Sequence, residues 1–166
     1  MRTFMLLMLA TAGCSVDVGA GSLAPVAIDA PIDVAEAGPP LSLSMDIEFL
    51  SADDSKTFAD QYGGKLGAVK AIDISVQALA VDDGSGAPVS GGSLSATFEG
   101  VTIDHAGQRV RLPDATKKRV LAAIAQRAAI SFTVDVIIYW SLPSPPAMDA
   151  HALLQPIVVV DALKAL

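Results

Sequence analysis

Residues 129–140 read "AISFTVDVIIYW". Ile130, Phe132, Val134, Val136, Ile138 and Trp140 fall on one side of a period-two alternation, with Ser131, Thr133 and Asp135 on the other. Successive side chains of a strand point to opposite faces, so this pattern predicts a strand with one face in a core. The second face becomes apolar at Ile137 and Tyr139. Those two residues need either a covering helix or a role in a binding patch, and a helix is the expected cover.

The same alternation recurs upstream. "LSLSMDIEF" (41–49) sets Leu41, Leu43, Met45, Ile47 and Phe49 against Ser42, Ser44, Asp46 and Glu48. "VKAIDISVQALAV" (69–81) alternates through Ile72, Ile74 and Val76 and then drifts in phase near Leu79 to Val81, where a β-bulge is expected. "SLSATFEGVTI" (93–103) breaks at Gly100, and "DHAGQ" (104–108) turns the chain into "RVRL" (109–112), which predicts a hairpin. "HALLQPIVVVDA" (151–162) supplies a closing β-branched run. Pro156 lacks an N–H, so this strand is expected at a sheet edge or with a bulge at the proline.

One helix is expected over about 114–128, with Asp114 as its cap and Val120, Leu121, Ile124 and Ala128 as its apolar stripe. The segment "SADDSKTFADQYGG" (51–64) predicts a loop with one helical turn, in which Phe58 and Tyr62 share a face. The fold class is mainly β: an antiparallel β-sandwich of about five to seven strands with one helical crossover, a small barrel being the alternative.

The chain holds a single cysteine, Cys14, just behind an apolar run. Arg2, the apolar stretch Thr3 to Ala12 and the small residues before Cys14 have the layout of a secretory signal. The run is shorter than the roughly 20 residues a spanning helix needs. Thr11-Ala12-Gly13-Cys14 resembles the lipobox of bacterial lipoproteins, with Thr11 standing where leucine is usual. The resemblance implies cleavage before Cys14, a diacylglyceryl thioether on its sulfur and an acylated new amino terminus. It also implies an envelope location, and Ser15 in place of Asp after the cysteine points to the outer membrane. Two or more acyl chains anchor stably where one is marginal.

This divides the chain into residues 1–13 as signal peptide, residues 14–40 as lipidated cysteine and mobile linker, and residues 41–166 as the β-sandwich domain. The linker expectation rests on Pro25, Pro31, Pro39 and Pro40 and on an acidic, small-residue composition. The strand, Pro-containing loop and closing strand of the last 50 or so residues are similar to small envelope lipoproteins with an immunoglobulin-like or late-embryogenesis-abundant type 2 sandwich. That likeness implies a fold and no activity.

Hydrophobic residues make up 52% of the chain and charged residues 17%, which excludes wholesale disorder. Net charge is −7, and loss of Arg2 with the leader takes it to −8. An acidic chain without a basic, aromatic-laced stripe is a poor nucleic-acid partner, and Lys117-Lys118-Arg119 reads as a solvated helix face. His105 and His151 show no second ligand at metal spacing, no metal, cofactor or catalytic residue is expected, and the Asp53-Asp54 and Asp82-Asp83 pairs read as turn acids. The expected function is a membrane-anchored, non-catalytic binding or scaffolding module with an envelope protein partner. The alternatives are a binder of a small apolar ligand or lipid between the sheets, and a hydrolase that would require His105 or His151 to meet carboxylates in a cleft.

Overall fold

The computed structural model describes residues 15–18, 23–33, 38–143 and 147–161. The chain is a β-sandwich of two antiparallel sheets. Nine strands are seen among the described residues: β1 (Ser15–Val18), β2 (Val26–Asp33), β3 (Leu41–Leu50), β4 (Val69–Asp82), β5 (Ser93–Phe98), β6 (Val101–Ile103), β7 (Arg109–Arg111), β8 (Ile130–Tyr139) and β9 (Ala147–Asp161). Two helices, α1 (Ala52–Tyr62) and α2 (Asp114–Gln126), join them. The first sheet runs β1/β2-β9-β4-β7, and the second runs β3-β8-β5-β6.

Inward faces meet in one core. Ile72, Ile74, Leu154 and Val158 from the first sheet face Phe49, Phe98, Phe132 and Val136 from the second, all buried. The Phe49 and Phe132 rings lie 5.0 Å apart and the Phe98 and Phe132 rings 6.4 Å apart, filling the space between the sheets.

Residues 26–33 correct the linker expectation. They form β2, which pairs with β9 from Val26↔Leu154 to Asp33↔Ala147, and Val26, Ile28, Ala30 and Ile32 point into the core. Pro31 is tolerated because, among the described residues, β2 pairs on one side only, as an edge strand allows. β1 continues the same edge, with Ser15 opposite Asp161 and Val18 opposite Val158. Cys14 and residues 1–13 lie outside the described residues.

β9 is a second correction. It is central, flanked by β1 and β2 on one side and β4 on the other. Pro156 falls opposite the gap between β1 and β2, and its carbonyl accepts from Gln155 Nε2, which also donates to Leu23 O. Among the described residues, no strand pairs with Pro156 on that side.

The register of β4 against β9 shifts between Val76 and Ala78, just before the expected Leu79 to Val81, which pair regularly, and again between Val69 and Ala71. The tight hairpin is β5–β6 instead of the expected one at 104–108. Glu99 (φ 50°) and Gly100 (φ 77°) form its two-residue turn, both with the positive φ such a turn demands. β6 and β7 belong to different sheets, so 104–108 carries the chain across the sandwich.

α1 is three turns long, where one was expected. The Ser51 hydroxyl accepts from the Asp54 N–H at 3.0 Å, and Asp53 and Asp54 lie in the first turn, where acids favour the helix dipole. Phe58 and Tyr62 share a face, their rings 4.9 Å apart. α2 lacks the expected Asp114 cap: Pro113 occupies that position, and Asp114 pairs instead with Lys117 at 2.7 Å. Both helices cross between the sheets and lie together at one end. The buried Ser55 hydroxyl donates to Ala128 O at 2.7 Å, and Arg127 pairs with Asp60 at 2.8 Å. The helices do not cover Ile137 and Tyr139, which stay exposed on the outer face of the second sheet. No helix among the described residues is long and apolar enough to cross a membrane.

Candidate functional site: a histidine among carboxylates on the outer sheet face

Alternation along β9 puts Asp149, His151, Leu153 and Gln155 on the outer face of the first sheet, away from the core. The register then sets the neighbours of His151. Asp29 on β2 and Ala80 on β4 lie directly opposite it, and Asp149 lies directly opposite Asp82. One imidazole is thus surrounded by three carboxylates drawn from three adjacent strands.

The distances are short. His151 Nδ1 lies 2.7 Å from Asp29 Oδ1, and Nε2 lies 3.2 Å from Asp82 Oδ2. Asp82 is fixed from its other oxygen, since Oδ1 accepts from the Gly84 N–H at 2.8 Å. Ligand-type atoms of Asp82, Asp149 and His151 all lie within 4.8 Å of one another, each residue half-buried. Asp149 acts on His151 through its charge. A shallow open concavity lined by Pro31, Ile32, Asp33, Ala147, Met148 and Asp149 adjoins the cluster.

The hydrogen bond to Asp29 holds the His151 imidazolium above the ordinary histidine range; partial burial opposes this, and the Asp82, Asp29 and Asp149 charges reinforce it. Three carboxylates against one imidazole give the group an excess of acidic side chains. Two carboxylates directly opposite one another in a ladder repel. The cluster is therefore electrostatically unbalanced toward cations.

The remaining candidates separate from this site. The His105 ring pairs with its neighbour Asp104 at 2.6 Å, both side chains exposed on the 104–108 crossing. Asp83 serves its own loop: it accepts from the Ser85 hydroxyl and the Ser85 and Ala87 N–H groups, which hold its carboxyl below the usual range. Asp53 and Asp54 belong to the first turn of α1. Asp73, only 4% exposed, is clamped by Arg109 and Arg111 at 3.0 Å each across β4 and β7, a satisfied ion-pair cluster. Cys14 lies outside the described residues.

Sequence reading missed the His151 group. One part was legible, because Asp149 and His151 are two apart on a strand and so share a face. Asp29 and Asp82 join only through pairing across 122 and 69 residues, which needs the topology. No protein-family model, curated protein or solved structure matches this chain at a significant level.

Proposed function

We propose that the chain is a lipid-anchored envelope lipoprotein whose β-sandwich acts as a non-catalytic binding or scaffolding module. The observation that supports this reading is that β1 (Ser15–Val18) follows the lipobox cysteine directly in sequence. Cleavage before Cys14 would leave the sheet whole and place the acyl chains at its end.

The register adds an orientation. Ser15 pairs with Asp161, and Val160 pairs with Val69 at the start of β4, where the two helices lie. An acylated Cys14 would set this helical end at the membrane. His151 would then stand about 30 Å further out along β9, at roughly 3.3 Å per residue. Exposed Ile137, Tyr139 and Leu142 lie toward the same distal end, on a second-sheet face otherwise built from Ser42, Ser44, Ser93 and Ser95, and supply contact area for a protein partner. The alternative, an apolar ligand between the sheets, meets a space already occupied by Phe49, Phe98 and Phe132.

Metabolic labelling with a radioactive fatty acid in a diderm bacterial host tests the anchor. The full chain should incorporate label and sediment with membranes, and Cys14→Ser should do neither. Label retained in Cys14→Ser, or a soluble wild type, would defeat the reading. For the module, a photo-crosslinking residue at Tyr139 should give a discrete envelope-protein adduct that the same probe at exposed Ala27 does not.

A further inference from the structure

We propose that Asp82, Asp149 and His151 form a binding site for a divalent transition-metal ion of the zinc type, with Asp29 orienting the imidazole. The site does not depend on the lipid anchor or on any partner.

The donor set selects the class of ion. An imidazole nitrogen with two carboxylate oxygens is a borderline donor set that suits zinc and its neighbours better than calcium, which takes six to eight oxygens. Zinc holds nitrogen at about 2.0–2.1 Å and carboxylate oxygen at about 2.0–2.2 Å, so tetrahedral ligands sit roughly 3.3–3.5 Å apart. The three donors, already within 4.8 Å, reach that spacing by small side-chain rotations. Their backbones lie on two paired strands in fixed register, so little ordering is required.

Orientation is built in. Nδ1 of His151 is engaged by Asp29 Oδ1 at 2.7 Å, leaving Nε2 to face Asp82 at 3.2 Å. A carboxylate on the distal nitrogen is the usual partner of a metal-bound histidine. The ion would take the Nε2 lone pair, and any proton held there would pass to solvent. Charge favours the ion as well. Asp82 and Asp149 stand directly opposite one another on adjacent strands, and a third carboxylate, Asp29, lies 2.7 Å from His151. A divalent ion between them would convert a repulsive pair into a bridge. Three protein ligands leave an open position for water or a partner's side chain.

The test is zinc titration of the untagged, metal-stripped protein by calorimetry, with thermal melting in parallel. One equivalent of zinc should bind and raise the melting temperature. Asp149→Asn and His151→Gln should each weaken binding by at least about tenfold, and Asp29→Asn by a smaller factor. His105→Gln should leave it unchanged. Asp149→Asn also guards against misfolding, because relief of the like-charge pair should leave the metal-free melting temperature equal or higher. No zinc binding, zinc binding untouched by Asp149→Asn and His151→Gln, or calcium bound more tightly than zinc would each overturn the proposal.

Discussion

Replacing Ile28 by alanine removes three carbons from β2, at a position 2% exposed and paired opposite Ala152 of β9. At about 0.8 kcal/mol per buried carbon the lost transfer free energy is about 2.4 kcal/mol. The cavity left behind raises the expected cost to about 3 kcal/mol, inside the range for such truncations. With a urea slope of about 2 kcal/mol per molar for a domain of this size, the unfolding midpoint should fall by about 1.5 M. Ala27 points outward on the same strand, so Ala27→Ser should change stability by less than about 0.5 kcal/mol. Urea unfolding followed by Trp140 fluorescence or far-ultraviolet circular dichroism reads both variants. If Ile28→Ala unfolds at the same midpoint as its parent, β2 contributes nothing to the core, and residues 26–33 are a linker after all.

Further expectations concern single contacts. Glu99 is held below the ordinary carboxylate range although its burial pushes the other way, because Thr116 and Arg119 donate to it at 2.8 Å each. A depressed folded value means stability that is present at neutral pH and lost as pH falls through it; Glu99→Gln should therefore melt a few degrees lower at pH 7 and no lower once both proteins are acidified, read by thermal scans against pH. Gly91 has φ +66°, and a Cβ there collides with Ser141 Oγ, so Gly91→Ala should cost at least about 1–2 kcal/mol in urea titrations, with partial recovery by a second change, Ser141→Gly. The Arg119 guanidinium lies 5.2 Å from the centre of the Phe132 ring, and Arg119→Ala should lose about 1 kcal/mol with Arg119→Lys intermediate by the same assay.

Strands with one clean polar face were legible from residue order alone. β3 follows its alternation from Leu41 to Phe49 and β8 throughout, with Leu43 opposite Val136 and Met45 opposite Val134. β2 carries the same signal in Val26, Ile28, Ala30 and Ile32, but its prolines outweighed it, since a sequence does not say which side of a strand is unpaired. Pro156 misled in the same way, because the gap between β1 and β2 opposite it is a property of the assembled sheet. The length of α1 was hidden in a polar segment whose helix is stabilised by the Ser51 cap and by packing against α2. The His151 cluster shows the same limit: pairing of β2, β9 and β4 assembles residues that are far apart along the chain.

The most direct measurement is the intact mass of the protein extracted gently from its own membrane. One mature species is expected, beginning at Cys14 and carrying acyl mass. A chain that keeps residues 1–13, or one that begins elsewhere with Cys14 absent or unmodified, would contradict the lipid anchor and the orientation that follows from it.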